Sequence, residues 1–275
     1  MVDALKSKGE NMAASINTDY IKQMTDNFLF LGQKYSTWQV FEDFLALSAI
    51  SISNSVDRFH FDEREKEYLK IIKKYDKTEV NTFPKIFSTL IMALEQNAER
   101  PKDILGVLFH KLELHNKYHG QFFTPNHICD FMGQITFSQQ NEILKQKDYV
   151  TVAEPCCGSG ALILGFACAM ANNKHDFQRQ MKVLATDIDI KCVYMTYIQL
   201  SLYGIPAIVT HGNSLTNEKW SQWYTPIYVM HGWQFKNNHM TETEKTQPIK
   251  KAAGAELIKT IPTYNSKINE QLSFF

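Results

Sequence analysis

The stretch Glu154-Pro155-Cys156-Cys157-Gly158-Ser159-Gly160 decides how this chain folds. The β-branched run at 149–153 that precedes it predicts a short strand, and the apolar residues at 161–171 that follow predict a helix. Glycines let a backbone turn tightly and approach a ligand closely. Free N–H groups at a helix start favour anionic or polar ligand groups. The stretch therefore predicts a ligand-binding turn between a strand and a helix.

Downstream residues extend this pattern into a sheet. Residues 183–186 predict a second strand that ends at Asp187. Residues 190–202 predict a helix, and residues 207–210 predict a third strand. Residues 226–230 are interpreted as one more strand. Alternating strands and helices imply a parallel sheet in an α/β fold, here truncated to three or four strands. A truncated sheet leaves an unpaired edge, which a partner or the tail would cover.

The sequence before residue 148 shows helical periodicity and no strand-like alternation. The helices are predicted near residues 38–50, 62–75, 83–94 and 104–114. We therefore divide the chain into a flexible lead-in, a helical N-terminal domain, an α/β domain with the glycine turn and a polar tail. These segments are expected at residues 1–18, 19–118, 119–235 and 236–275.

Composition narrows the class of protein. The 29 basic residues balance the 29 acidic ones, which argues against a protein that holds nucleic acid mainly by a bulk positive field and leaves room for a local basic patch. No apolar window is long enough for a membrane span, and the first ten residues lack the apolar region of a secretory signal. Five cysteines without a C-x-x-C pair favour the reducing cytoplasm. His110, His115 and His119 favour a solvated helix end over a zinc site, so no metal is expected.

Asp187 directly follows the second predicted strand. An acidic residue at this place in an α/β fold can bind the ribose hydroxyls of a nucleoside. The dinucleotide pattern G-x-G-x-x-G is not met, because position 163 is isoleucine. The pattern therefore favours a nucleoside cofactor over a dinucleotide.

Five separated segments resemble, in order, the motifs of adenine-N6 DNA methyltransferases, and most of all those of the modification subunits of type I restriction systems. The segments are Gly120-Gln121-Phe122-Phe123-Thr124-Pro125, Glu154 to Gly160, Ala185-Thr186-Asp187-Ile188-Asp189, Tyr203-Gly204-Ile205 and His211-Gly212-Asn213-Ser214-Leu215. The resemblance covers about residues 105–216. Several motifs in the family's order are far more specific than any one of them.

This resemblance implies S-adenosylmethionine as cofactor and DNA as a partner. A partner methyltransferase, a specificity subunit or a second copy could bind at the open sheet edge. The implied cofactor-binding residues are Phe123, Thr124 and Pro125 beside the cofactor, Glu154, Gly158 and Gly160 around its methionine part, Asp187 at its ribose and Asn213 at its adenine. The family more often has Asp at position 213. The Asn carbonyl can still accept from the exocyclic amine, and a plain turn role at a strand end is an equal alternative.

One motif of the family is missing. Its members transfer the methyl group with [DNS]-P-P-[YF], which holds the flipped base, but none of the eight prolines here are adjacent. The nearest substitute is Thr225-Pro226-Ile227-Tyr228, where Tyr228 would be a degenerate catalytic residue; a strand or turn is favoured. Two hypotheses remain: an adenine methyltransferase, alone or with a partner subunit, or an inactive module that binds DNA, a partner or the sliding clamp.

The last five residues form a candidate binding peptide. The sequence Gln271-Leu272-Ser273-Phe274-Phe275 resembles the peptide by which bacterial polymerases and repair proteins hold the sliding clamp. Leu272, Phe274 and Phe275 are the apolar anchors, and Gln271 would hydrogen-bond at the rim of the pocket. Docking of this tail on its own domain is the alternative.

Overall fold

A computed structural model describes residues 19–114, 123–140 and 142–236. The first of these ranges is helical, as predicted. Its helices are α1 (19–32), α2 (Thr37–Asn54), α3 (Phe61–Ile72), α4 (Lys77–Val80), α5 (Thr82–Glu95) and α6 (Ile104–Lys111). Side-chain caps fix several starts: the Ser36 hydroxyl accepts from the Gln39 amide at 3.1 Å, and Asp76 with Glu79 forms a capping box.

The second part alternates helices and strands. Its elements are α7 (Asn126–Gln140), β1 (Val150–Glu154), α8 (Ala161–Asn172), α9 (Phe177–Gln180), β2 (Met181–Asp187), α10 (Ile190–Leu202), β3 (Ala207–Asn213), β4 (Glu218–Tyr224) and α11 (Pro226–Met230). The three predicted strands and the two helices between them are confirmed. The fold is therefore mixed α/β.

The four strands form one open sheet in the order β1-β2-β3-β4. β1, β2 and β3 are parallel, with Glu154 opposite Ala185 and Asp187 opposite His211. β4 is antiparallel to β3. The predicted short and mainly parallel sheet is thus confirmed, and the carboxyl ends of β1, β2 and β3 share one edge.

The prediction of a strand at Pro226–Met230 was wrong, because this segment is helix α11. Pro226 occupies its first turn, where a missing N–H costs nothing. The strand beside β3 is β4 instead, which the sequence analysis missed. The signal available in the sequence was Asn217, a residue type common in turns. In the structure Asn217 adopts a left-handed φ of 59° just before β4.

Helices cover one face of the sheet. Successive right-handed crossovers from β1 to β2 to β3 place α8 and α10 on the same side, and α10 packs on β2 and β3. On the opposite face Leu184 stays 41% exposed. Within the described ranges, no strand pairs with the outer edge of β1. The sheet therefore has an open edge and an open face.

The hydrophobic core is continuous from the N-terminal helices to the sheet. Arg64 of α3 crosses this junction: it donates to the Gln222 carbonyl at 2.9 Å and to Asp57 Oδ2 at 2.7 Å, and it lies 3.9 Å from the Trp223 ring centroid. In the parts of the chain that the structure describes, no helix combines the length and the apolarity needed to cross a membrane.

Candidate functional site

The glycine turn begins where β1 ends and continues directly into α8. Gly158 and Gly160 have φ values of 55° and 90°, in the left-handed region that side chains rarely adopt. A Cβ on Gly160 would also lie 3.1 Å from Thr196 Oγ1. Both glycines are thus required by the backbone path of this turn.

Two neighbouring elements hold the turn in place. The Cys157 amide donates to the Thr186 carbonyl of β2 at 2.9 Å. The Thr196 hydroxyl, fully buried on α10, donates to the Gly158 carbonyl at 2.9 Å. Burial also raises the pKa of the Cys157 thiol to about 12, which leaves this thiol protonated and a poor nucleophile.

Asp187 ends β2 beside the turn. Its Oδ2 accepts from the Gly158 amide at 2.8 Å and its Oδ1 accepts from the Asp189 amide at 2.9 Å. Each carboxylate oxygen has a second lone pair, so Asp187 can hold the turn and still accept a ligand hydroxyl. The predicted adjacency of glycine turn and acidic residue is present.

Glu154 closes the other side of the turn. Its Oε1 accepts from the Cys156 amide at 3.1 Å. Burial raises the pKa of its carboxyl, and the nearby charge of Asp187 adds to this shift. The two carboxylates make this edge of the sheet negative.

The segment Phe123-Thr124-Pro125 approaches the turn from the side of α6. A Cβ on Gly158 would meet the Phe123 ring at 3.3 Å, and a His110 ring nitrogen lies 3.3 Å from the Phe123 carbonyl oxygen. Thr124 is half-buried and Pro125 is exposed at the start of α7. Residues 120–122 of this motif lie outside the described ranges.

Asn213 ends β3 at the same edge, and its side chain forms a turn. Its Oδ1 accepts from the Leu215 amide at 3.0 Å and from the Thr216 amide at 3.4 Å. This geometry is the turn role that the sequence left open. Ile188 and Leu215 are 62% and 93% exposed beside it, an apolar surface that the sequence analysis did not single out.

A groove of about 330 Å³ opens on the uncovered face at this edge. Glu154, Pro155, Thr186, Asn213 and Ser214 contribute to its lining. The ends of β1, β2 and β3 thus converge on one concave surface, as ligand sites of open α/β sheets do.

Tyr228 lies elsewhere. It is buried in α11, in one apolar cluster with Tyr149 and Trp233, and the Lys182 ammonium is 5.5 Å from its ring centroid. Tyr149 precedes β1 and Lys182 lies near the start of β2, so Tyr228 is at the amino edge of the sheet, opposite the glycine turn. The structure therefore does not bring Tyr228 to the glycine turn, since a buried ring at the other edge does not face a ligand there, and its degenerate catalytic role stays a prediction.

Sequence reasoning missed the residues that support the turn. Ser159 is 1% exposed and bonds to Asp103, which lies just before α6. Gln199 is fully buried in the last turn of α10 and donates to the Ser159 carbonyl at 2.8 Å. A polar glutamine within the apolar pattern of 190–202 was the available signal.

Within the described ranges, no group of three or more His, Cys, Asp or Glu side chains could hold a metal ion. His115 and His119 lie outside those ranges, as does the tail with Gln271, Leu272, Phe274 and Phe275.

Comparison with known proteins identifies the family of this chain. No curated protein sequence matches this chain. One similar solved structure is a candidate class I S-adenosylmethionine-dependent methyltransferase from Listeria monocytogenes, 13% identical, with a TM-score of 0.44 over 74% of this chain and 55% of that protein. The sequence model of N-6 DNA methylases matches residues 102–269, more than half of the chain and all of the site described above. The chain therefore belongs to the N-6 DNA methylase family.

Proposed function

We propose that this chain is the cofactor-binding part of a DNA adenine-N6 methyltransferase whose target base is positioned by another chain. The observation that carries the proposal is the unequal completeness of the site. The glycine turn, Asp187 and the Phe123–Pro125 segment converge at one edge, whereas Tyr228, in the nearest substitute for the base-holding motif, lies at the opposite edge.

S-adenosylmethionine is the cofactor of this family and of this chain, and it supplies an electrophilic methyl group on a sulfonium. The residues at the edge suit its parts. Left-handed Gly158 and Gly160 leave the turn without side chains, the free lone pairs of Asp187 suit ribose hydroxyls, and exposed Ile188 and Leu215 suit a purine ring. Asn213 would contribute to adenine binding through its backbone and the turn that it forms, because its side-chain Oδ1 already accepts from the Leu215 and Thr216 amides.

The part of the site that would hold the methyl acceptor, the adenine amine, supports a requirement for a partner. Attack on the methyl group needs the adenine amine held in line, and a misplacement of about 1 Å can cost roughly 100-fold in rate. No described residue near the turn provides the missing Pro-Pro-aromatic segment. Among the described residues nothing pairs with the outer edge of β1, and such an edge is a ready surface for a partner methyltransferase, a specificity subunit or a second copy.

The purified chain is expected to bind S-adenosylmethionine but to transfer its methyl group to duplex DNA at least about 100-fold more slowly with no partner than with one, because the amine is not positioned. Transfer of labelled methyl groups to adenine, with and without candidate partner subunits, measures this. The control is Asp187→Asn, which should lower the partner-dependent signal.

Robust turnover by the chain alone would contradict the requirement for a partner. Tyr228→Phe keeps the packing of the ring and removes only the hydroxyl. If this variant abolished that turnover, Tyr228 would regain a catalytic role despite its burial.

We further propose that residues 271–275 bind a partner, the bacterial sliding clamp. Three large apolar groups at 272, 274 and 275 would each gain about 1.5–3 kcal/mol on full burial. A labelled peptide of residues 266–275 is expected to bind purified clamp with roughly micromolar affinity in fluorescence polarisation. The matched control peptide carries Leu272→Ala and Phe275→Ala.

Truncation after Glu270 separates partner binding from docking on the chain itself. Removal of a partner-binding tail leaves the melting temperature nearly unchanged. Absence of peptide binding up to about a hundred micromolar, together with a large drop in melting temperature on truncation, would leave only the self-docked tail.

A further inference from the structure

We infer that Asp103 is a positioning residue that sets the glycine turn for cofactor binding, an inference that rests on the proposed cofactor role of Gly158 and Gly160. Asp103 is 2% exposed and lies directly before α6. Its Oδ2 accepts from the Ser159 hydroxyl at 2.5 Å. Ser159 stands between the two left-handed glycines, so moving Ser159 would redirect the backbone of both.

Gln199 also hydrogen-bonds to Ser159 and to Asp103. Its Nε2 donates to the Ser159 carbonyl at 2.8 Å and to Asp103 Oδ1 at 2.9 Å. Its Oε1 accepts from the Ile104 and Leu105 amides at 2.8 and 3.1 Å. Ser159 is therefore held by its side chain and by its carbonyl, and Gln199 is itself hydrogen-bonded to the start of α6.

The residue at position 106 shows how tightly this arrangement is packed. Gly106 donates its amide to Asp103 Oδ1 at 2.7 Å. A Cβ at this position would lie 2.0 Å from Asp103 Oδ2 and 2.9 Å from Ser159 Oγ. A glycine at position 106 thus leaves space for the contact between carboxylate and hydroxyl.

Asp103 also reaches the second segment predicted to face the cofactor. Its amide donates to Asn126 Oδ1 at 3.1 Å, and Asn126 begins α7 directly after Phe123-Thr124-Pro125. Burial raises the pKa of the Asp103 carboxyl, and the bonds from Ser159 and Gln199 oppose this shift. A buried carboxylate is costly unless it is fully bonded, and here its partners include the turn that carries the glycines.

The test compares Asp103→Ala with Asp103→Asn by calorimetric titration of S-adenosylmethionine and by thermal melting. Asp103→Ala releases Ser159 and is expected to weaken binding by about 10-fold or more. Asp103→Asn should recover most of the affinity, because its oxygen can accept from Gly106 and Gln199 while its amide donates to the Ser159 hydroxyl. Ser53→Ala is the matched control: Ser53 is also a buried hydroxyl, but it is bonded to Arg64 and not to a residue of the turn. It should lower the melting temperature and leave cofactor affinity unchanged.

Equal affinity in wild type and folded Asp103→Ala, or an equal loss of affinity in Ser53→Ala, would overturn the inference. Where Asp103→Ala does not fold, the double variant Asp103→Asn/Ser159→Ala replaces it, since it removes the contact without leaving an unpaired buried charge. Wild type that binds no cofactor would contradict the proposed function. Hydrogen exchange at the Gly158 and Gly160 amides of the cofactor-free protein would then still test whether Asp103 positions the turn. Exchange about 10-fold faster in the double variant than in wild type supports the inference. Equal exchange rates refute it.

Discussion

Replacement of Asp187 by alanine is expected to weaken S-adenosylmethionine binding by roughly 100-fold, or about 3 kcal/mol. The effect is large because the carboxylate has two tasks. It is the proposed acceptor for the ribose hydroxyls, and it also accepts from the Gly158 amide at 2.8 Å, so its loss frees the turn as well. Calorimetric titration measures the change.

The matched control for this prediction is Asp176→Ala. Asp176 also lies next to β2, but before its amino end, where its side chain accepts from the Gln178 amide at 2.9 Å. Its removal should leave cofactor affinity unchanged. Unchanged affinity in folded Asp187→Ala would show that the cofactor does not use this carboxylate.

Replacement of Arg64 by alanine is expected to lower the free energy of unfolding by about 3 kcal/mol, because the buried Asp57 carboxylate loses its guanidinium partner and keeps only its hydrogen bonds with His60 and the Phe59 amide. The Arg64 and Asp57 side chains are 7% and 9% exposed and lie 2.7 Å apart. Loss of the guanidinium also removes the contact with Trp223 that joins α3 to β4. Urea denaturation measures the difference, and Asp57→Asn in the same chain should recover part of it. The control is Arg179→Ala, whose side chain is 81% exposed, so its ion pair with Asp176 adds little stability.

The ion pair between Asp57 and Arg64 also predicts that the free energy of unfolding depends on pH. Burial pushes the pKa of Asp57 up, but hydrogen bonds from His60 and the charge of Arg64 outweigh it, so the pKa is lowered. A lowered folded-state pKa gives stability that is present above the ordinary aspartate pKa and is lost as the pH falls through the folded value. Asp57→Asn should therefore flatten the acid side of the stability curve. An equally steep acid loss in this variant would assign the effect to other carboxylates.

The edge that carries the glycine turn and Asp187 could be predicted well from the sequence because its determinants are local. Gly158 and Gly160 are needed for the backbone path of one short turn, and Asp187 follows a strand whose β-branched and apolar residues mark it directly. Parallel strands bring their carboxyl ends to one edge. The adjacency of the turn and Asp187 therefore follows from the order of elements alone.

Tyr228 could not be placed in this way, because its position depends on which strand lies beside β3. The sequence analysis treated 226–230 as one more strand, whereas β4 pairs with β3 and carries the chain back to the amino edge. The buried Thr225 hydroxyl, which donates to the Ile205 carbonyl and accepts from the Ala207 amide, ties the end of β4 to the start of β3. A hairpin that reverses the chain moved Tyr228 away from the turn.

By itself, then, the sequence determined the α/β class, the helical first part, the glycine turn and its acidic neighbour, since each depends on residues close together in the chain. Only the tertiary structure decided what holds the turn. Asp103, Ser159 and Gln199 are separated by 56 and 40 residues along the chain, and no local pattern joins them. They meet because α6 and α10 pack beside the turn, where buried polar groups must find partners among whatever the fold brings within reach.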